Sequence, residues 1–257
     1  LTGLYVFYGY SYAMIGEINK GKTTCEEAFQ IACKVNHVRS KAWAKFFLGM
    51  VFSLLGDGKR ASQHYQEGIR YCEETKYFFL LGFLLTGFGH ALCLFGELET
   101  ALDYMNKGLK LHLKLGIQGH LSWYYCLLSM VSYHLENYQE ALKYINEALK
   151  SSRNNQEINL EGLANVWKGK ILGKTDKMQS EKAEEHILQG INMLEELNLK
   201  PYYSEGYLYL GELYVNTGQE DEAIKYLNNA ENNFREMGMD YWLAKTREIS
   251  NRLRLET

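Results

Sequence analysis

The sequence predicts an all-α fold: a right-handed superhelical solenoid of about six antiparallel helix pairs, with a period of about 40 residues, plus a C-terminal capping helix. Small residues recur at that spacing in two registered sets, and the 257-residue chain contains one proline, Pro201. Helix interiors exclude proline, so its scarcity favours long helices. Self-similarity at a fixed period is typical of stacked repeats.

The first helix of each predicted pair carries one small residue at a fixed place. Neighbouring members of this set are 40 residues apart, except for a last interval of 42: Gly9, Gly49, Gly89, Ser129, Gly169 and Gly211. Glycine lets two backbones approach closely, and a bulkier side chain would overpack the contact at about 1–3 kcal/mol. We therefore expect these residues to lie where the two helices of a pair cross.

The second helix of each pair carries an alanine, an apolar residue four positions later and a small residue three positions after that. In the third pair these are Ala101, Met105 and Gly108, with Gly96 ending the first helix. The alanine recurs in four of the other pairs, as Ala61, Ala141, Ala183 and Ala223. Copies in a common register predict stacked helix pairs.

This pattern resembles the tetratricopeptide repeat, in a long-repeat variant, because the usual repeat has about 34 residues. The most similar segments are residues 137–142 (Asn-Tyr-Gln-Glu-Ala-Leu) and residues 210–214 (Leu-Gly-Glu-Leu-Tyr) with Gly218, Ala223, Leu227 and Ala230. The resemblance implies a protein or peptide partner, held in a concave groove that the first helices line.

The spacing predicts one repeat domain over residues 1–257. Its repeats would span about 1–38, 39–76, 77–116, 117–156, 157–198 and 199–237, and the capping helix would span 240–255. Because the chain begins at Leu1 rather than at methionine, we expect a fragment of a larger protein.

Composition restricts the partners and the compartment. The net charge of −3 provides no basic stripe for nucleic acid. The five cysteines include no CxxC pair and indicate reduced thiols in a cytoplasmic protein. Residues 77–96 carry no formal charge and are long enough to span a membrane. Their register with the other first helices favours a buried helix instead, so we expect no membrane partner.

Residues 16–23 match the GxxxxGK[ST] pattern of a phosphate-binding loop, from Gly16 through Lys22 to Thr23. Such a loop must follow a strand and requires a second site, which no downstream aspartate supplies. We interpret the segment as a helix-to-helix loop four residues longer than its equivalents, because Cys25, Phe29 and Ala32 then occupy the second-helix slots. A nucleotide-binding enzyme that uses this segment is the alternative.

No catalytic or metal-binding constellation is recognisable elsewhere. The seven histidines form no HExxH motif, and the sequence contains no GxSxG motif. We expect a protein that is not an enzyme and that needs no cofactor or metal.

The resemblance places the groove at fixed offsets from the small residue of each first helix. The predicted groove residues are Trp43, Phe46, Met50, Phe83, His90, Trp123, Met130 and Tyr133. They favour an apolar or aromatic peptide or an amphipathic helix, whereas Lys170, Glu205 and Glu212 make the later repeats more polar. The alternative for any of these side chains is a place in the core.

The last third of the chain is also similar to the C-terminal repeats of bacterial adenylate or guanylate cyclases and related multidomain signalling ATPases. The similarity is carried by residues 183–191, 201–214 and 237–243. It implies a regulatory or sensory arm of a larger signalling protein, cyclase-like or transcription-regulator-like, whose partners include other domains of the same parent chain. The alternative is a stand-alone peptide-binding adaptor.

Overall fold

The computed structural model describes residues 2–175 and 177–256, without the side chains of residues 2, 3, 177 and 254–256. Leu1, Asp176 and Thr257 lie outside it. Over the described residues the chain forms thirteen α-helices, one short 3-10 turn (Lys177–Gln179) and no strand, which confirms the all-α class. The helices are α1 (Thr2–Met14), α2 (Ile18–Lys34), α3 (Val38–Leu54), α4 (Gly58–Thr75), α5 (Phe78–Leu94), α6 (Leu98–Lys114), α7 (Leu121–His134), α8 (Tyr138–Asn155), α9 (Ile158–Thr175), α10 (Ser180–Glu196), α11 (Lys200–Thr217), α12 (Glu220–Met237) and α13 (Asp240–Glu256).

Helices α1 to α12 form six successive pairs, and α13 follows as a cap. We call the first helix of each pair the A helix and the second the B helix. The small A-helix residues lie at the crossings, as expected. A Cβ atom added to Gly89 would lie 2.6 Å from the carbonyl oxygen of Ala101, and one added to Gly169 would lie 2.4 Å from that of Ala183. Only a hydrogen atom fits at these two positions.

The helices end and begin with local signals that the sequence contains. Gly56, Gly96 and Gly218 adopt positive φ angles after an A helix, a conformation that glycine reaches without steric cost. Asp57 then caps α4, because its Oδ1 atom accepts a hydrogen bond from the backbone N–H of Arg60 at 2.9 Å. These signals keep the loops between paired helices short.

The chain divides into two compact units, residues 1–119 and 120–257. Unit 1 contains α1 to α6, and unit 2 contains α7 to α13. In unit 1 the ring of Tyr65, 1% exposed, fills the space left by Gly49 and Gly87 on two neighbouring A helices. In unit 2 the core contains Tyr124, Ile145, Ile171 and Phe234, each completely buried. The single domain expected over residues 1–257 stays a prediction.

Most of the uncharged segment 77–96 forms α5, and most of the side chains of this helix are buried inside unit 1. Leu80, Leu84 and Ala91 are completely buried, and Phe88 is 6% exposed. Among the described residues, no helix combines the length and the apolarity that a membrane span requires.

The segment with the phosphate-loop pattern is helical, and the predicted long loop is wrong. Helix α2 already begins at Ile18, and the N–H of Gly21 donates to the carbonyl of Glu17 at 2.9 Å. Gly21 therefore occupies the slot that Ala61 holds in the next pair, and Cys25 and Ala28 follow it as the apolar and small residues. The earlier assignment to Cys25, Phe29 and Ala32 was displaced by one helical turn.

Candidate partner-binding surfaces

The A helices of unit 1 carry a series of aromatic rings. Helix α3 packs between α1 and α5. Phe7 of α1 lies 6.1 Å from Trp43 of α3, and Trp43 lies 6.4 Å from Phe79 of α5, measured between ring centroids. Phe7 is 54% exposed and Phe79 39% exposed, and Trp43 is half-buried. We call Phe7, Trp43 and Phe79 the aromatic track of unit 1.

A second row of rings lies beneath the track and holds it in place. Phe47 stacks on Trp43 at 5.8 Å and meets Phe7 edge-on at 4.8 Å. Phe46 contacts the edge of Trp43 at 5.9 Å. Aromatic pairs at these distances contribute about 0.5–1.5 kcal/mol beyond their burial. The exposed rings therefore rest on a packed layer.

The predicted groove residues of unit 1 divide into accessible and buried side chains. Trp43, Met50 and His90 are half-buried and reach the surface. Phe46 and Phe83 are 6% and 8% exposed, and their rings contact each other at 5.8 Å. Burial also lowers the pKa of His90 to about 4, so its imidazole is neutral at neutral pH.

In unit 2, Trp123 and Tyr133 are half-buried and Met130 is 8% exposed. Trp123 meets Tyr124 edge-on at 5.3 Å, at the start of α7. Tyr133, near the end of that helix, contacts the ring of Trp167 of α9 at 5.8 Å. Tyr133 is thus joined to a cluster on the next A helix.

The sequence reasoning missed Phe47, Trp167 and Tyr209, which share one position two residues before the small A-helix residue. Phe47 and Tyr209 follow Trp43 and Glu205 by four residues, so each lies one turn further along the same helix face. Applying the i, i+4 rule to Trp43 and Glu205 would have found Phe47 and Tyr209.

The A helices of unit 2 form a polar pocket that we call the Lys170 pocket. It encloses about 450 Å³ of space, including its open mouth. Helices α7, α9, α11 and α13 contribute its polar lining: Tyr133, Lys170, Lys174, Tyr209, Glu212, Asn216 and Arg252.

The ammonium group of Lys170 sits among aromatic rings. Its Nζ atom lies 3.4 Å from the ring centroid of Tyr209, 4.6 Å from that of Trp167 and 5.1 Å from that of Tyr133. Such cation–π contacts stabilise a lysine by about 0.5–2 kcal/mol each. Burial still lowers the pKa of Lys170 to about 8, against the opposing effect of Glu212 and Glu205.

A buried carboxyl group on α11 acts electrostatically on this lysine. Glu205 is 8% exposed and accepts a hydrogen bond from the Tyr209 hydroxyl at 2.5 Å. Burial raises its pKa, and the Tyr209 hydrogen bond and the charge of Lys170 oppose that rise. The indole of Trp167 also lowers this pKa, although its Nε1 atom has no acceptor within hydrogen-bond distance in the described residues.

No three metal-ligating side chains cluster within the described residues. Burial raises the pKa values of the Cys25, Cys72 and Cys126 thiols to about 12, so these cysteines are protonated at neutral pH.

Comparison with protein families finds a match for two segments of unit 2. Residues 124–155 and 204–232 match the tetratricopeptide repeat model. Both segments are thus similar to tetratricopeptide repeats. They comprise parts of α7–α8 and α11–α12, helix pairs whose small residues fall at the positions described above.

Solved structures share the fold over most of the chain. The apo form of RapI superposes with a TM-score of 0.71 at 12% identity, over 92% of this chain and 84% of that one. The Rap conjugation gene regulator of plasmid pLS20, in complex with the Phr* peptide, gives 0.69 at 16% identity, over 98% and 74%. A signal transduction ATPase with a tetratricopeptide repeat sensor, PH0952 from Pyrococcus horikoshii, gives 0.55 at 15% identity; the match covers 93% of this chain and 39% of that one. The search of curated proteins finds no match.

Proposed function

We propose that the chain is a non-catalytic protein-interaction module whose unit 1 binds an apolar or aromatic peptide, or an amphipathic helix, along the aromatic track. The observation that carries this proposal is the contact of Phe7, Trp43 and Phe79 across three A helices, with two of the rings more than one-third exposed. Aromatic anchors of this kind dominate binding energy at protein interfaces.

Two further observations support an interaction role. Two segments match the tetratricopeptide repeat model, and the chain shares its fold with a Rap conjugation gene regulator that was solved in complex with the Phr* peptide. The half-buried residues Met50 and His90 extend the accessible A-helix surface of unit 1 toward the ends of α3 and α5. His90 is neutral, which suits an apolar partner.

We further propose that the module is a regulatory or sensory arm of a larger cytoplasmic signalling protein, with its partner in another domain of the parent chain. The fold shared with part of a signal transduction ATPase that has a tetratricopeptide repeat sensor supports this, as does the resemblance of the last third to cyclase-linked repeats. The alternative is a stand-alone adaptor. Sequencing the gene upstream of Leu1 separates them, because an arm requires a preceding catalytic or ATPase domain in the same reading frame.

The binding proposal is tested with a displayed library of random 14-residue peptides selected on the full chain. Selected peptides are expected to carry Trp, Phe or Leu at i and i+4, and to bind Phe79→Ser at least about tenfold more weakly, since a buried aromatic anchor is worth more than about 1.4 kcal/mol. Phe95→Ser is the matched control, because Phe95 is 45% exposed but follows the end of α5. Equal affinity for both variants would overturn the proposal.

A further inference from the structure

Unit 2 carries a second polar groove, which is lined by α10 and the loop after it, by α11 and by α12. It encloses about 740 Å³ of space, including its open mouth. We call it the amide groove, because four of its seven lining residues are asparagines: Glu195, Asn198, Tyr203, Tyr207, Asn229, Asn232 and Asn233. It shares no residue with the Lys170 pocket or with the aromatic track.

The asparagine amides of the groove are almost unused by the protein. The side chains of Asn198, Asn229 and Asn233 make no hydrogen bond with a described residue. Asn232 accepts one bond, from Arg235 Nη1 at 3.0 Å. Each amide has one acceptor oxygen and two N–H donors. A ligand that displaces water from them must therefore both donate and accept, as hydroxyl groups do.

The charges of the groove disfavour an anion. Among the described residues that line it, none is a cation, and Glu195 is the one carboxylate. That carboxylate already accepts a hydrogen bond from the Tyr207 hydroxyl. Burial, and then the charge of Glu195, raise the pKa of Tyr203, so its phenol is neutral at neutral pH. The groove therefore suits a ligand without a negative charge, since Glu195 would repel one.

Two tyrosine rings form an apolar corner within this polar lining. The ring centroids of Tyr203 and Tyr207 lie 5.8 Å apart, with an angle of 64° between the planes. Tyr207 also contacts Tyr226 of α12 at 5.9 Å, and all three side chains are half-buried. The rings are thus held in place, and they offer an aromatic face to a ligand with an apolar side.

We infer that the amide groove binds a neutral saccharide, with a pyranose ring against Tyr203 or Tyr207 and its hydroxyls bonded to the amides of Asn229 and Asn233. A pyranose combines a C–H face, which packs on an aromatic ring, with hydroxyls that donate and accept around its edge. The volume of the groove falls within the range of about 300–1,000 Å³ that is typical of small-molecule sites. This site does not depend on the aromatic track, which lies in unit 1.

The test titrates four neutral disaccharides, cellobiose, maltose, lactose and N,N′-diacetylchitobiose, into the ¹⁵N-labelled full chain. At least one is expected to bind with a Kd below about 5 mM and to shift the side-chain amide NMR signals of Asn229 and Asn233. The neutral peptide N-acetyl-Gly-Ser-Gly-amide, which lacks a sugar ring, should bind at least about threefold more weakly. If none of the four binds, or if the peptide binds as tightly, the inference is wrong.

Adjacent asparagines provide a matched pair of variants. Asn228 and Asn229 are both exposed on α12, but only Asn229 lines the groove. Asn229→Ala is expected to weaken binding of the selected disaccharide at least about fivefold, through loss of its hydrogen bonds. Asn228→Ala should keep the affinity within about twofold. Both titrations follow the Asn233 amide signal, and equal affinities for the two variants would overturn the assignment of the site.

A third variant tests the aromatic corner. Tyr203→Leu keeps an apolar side chain but removes the flat ring face, so it should weaken the disaccharide at least about threefold. Unchanged affinity in Tyr203→Leu together with unchanged affinity in the corresponding Tyr207→Leu would contradict the stacking of a sugar ring. Should either variant fail to fold, the comparison of Asn229→Ala with Asn228→Ala decides, because both of those side chains are exposed.

Discussion

Ser129 shows how strict the helix crossing is at the scale of one residue. It occupies the position that glycine holds in the other A helices, and its hydroxyl donates to the carbonyl of Ala141 at 2.8 Å. The equivalent carbonyl of Ala101 lies 2.6 Å from a Cβ atom built on Gly89. A serine is accepted in α7 because its hydroxyl turns this close approach into a hydrogen bond.

The steric limit makes Gly169→Ala informative. The added Cβ would lie 2.4 Å from the carbonyl oxygen of Ala183, and a backbone atom cannot move aside as a side-chain end can. Overpacking costs about 1–3 kcal/mol, and an approach of 2.4 Å to a backbone atom places the cost in the upper part of that range. It therefore exceeds the helix-propensity gain of about 1 kcal/mol, and we expect a net loss of about 1–2 kcal/mol in the free energy of unfolding by urea. The control Gly119→Ala, with no atom within 4 Å of the new Cβ, should change it by less than about 0.5 kcal/mol.

A second residue-scale effect is the dependence of unit 1 stability on pH. Burial, and then the charge of Lys45, lower the pKa of His64 from 6.5 to about 4. The ammonium of Lys45 lies 3.5 Å from His64 Nδ1 and is itself paired with Glu67 at 2.9 Å. A proton on His64 would therefore have to bind beside a cation inside the helix packing.

Between pH 6.5 and about 4 the unfolded chain binds a proton at His64 that the folded chain does not. The stability contributed by neutral His64 is thus complete above pH 6.5 and is lost as the pH falls toward 4, by about 3 kcal/mol in total. Urea unfolding of His64→Gln should show a shallower decline over this range. The exposed imidazole of His134 offers the control, and His134→Gln should leave the decline unchanged. Parallel pH profiles for His64→Gln and the unaltered chain would contradict the expectation.

The candidate site could be predicted from the sequence only in part. Helical periodicity placed Trp43 and Phe46 on one helix, but their exposure depends on neighbouring helices that a single repeat does not reveal. Phe46 faces Tyr65 and Phe83 and is buried, whereas Trp43, three residues earlier, reaches the surface. Residues on one helix face can differ in this way wherever the next A helix covers one of them.

At the scale of the element, the two glycines of the phosphate-loop pattern have separate structural roles at the end of α1 and inside α2. Gly16 adopts φ +94° at the end of α1, where the N–H of Glu17 donates to the carbonyl of Tyr12. Gly21 lies inside α2, where an added Cβ would meet the carbonyl oxygen of Gly9 at 2.6 Å. The sequence motif contains both residues but does not reveal that a helix joins them.

In a helix, the substitution that matters is the one at Gly21, whereas in a phosphate-binding loop it would be the one at Lys22 or Thr23. Gly21→Ala should destabilise unit 1 by about 1–2 kcal/mol, because its Cβ would meet backbone atoms of α1. Lys22→Ala and Thr23→Ala should each change the free energy of unfolding by less than about 0.5 kcal/mol. The measurement is urea unfolding with and without Mg-ATP. Stabilisation by Mg-ATP that Lys22→Ala abolishes would restore the enzyme alternative.

At the scale of the whole molecule, the period of 40 residues predicts the fold class but not how cooperatively the chain folds. Repeat proteins derive their stability from each repeat and from its contacts with immediate neighbours. The small-residue pattern runs through Gly89 and Ser129 without a change of spacing, yet residues 1–119 and 120–257 form separate compact units. Spacing along the chain carries no information about how dense the contacts are at each step of the stack.

The two units can be tested by truncation. Residues 120–257 contain three complete helix pairs and the cap α13, with their own buried residues such as Tyr124, Ile171 and Phe234. Expressed alone, this fragment should show the circular dichroism expected for helices α7 to α13 and should unfold in one cooperative urea transition. Stacked repeats need at least three copies for a stable core, and the fragment contains three.

The control fragment is residues 138–257, which lacks α7 and leaves α8 without the helix that covers Ile145. Deleting one helix of a pair exposes the apolar face of the other, so this fragment should unfold at a lower urea concentration and less cooperatively. If the fragment 120–257 is itself unfolded while the full chain unfolds in one transition, the single domain over residues 1–257 is the correct description. In that case the stability of α7 depends on residues before 120, and the Lys170 pocket requires the entire chain to form.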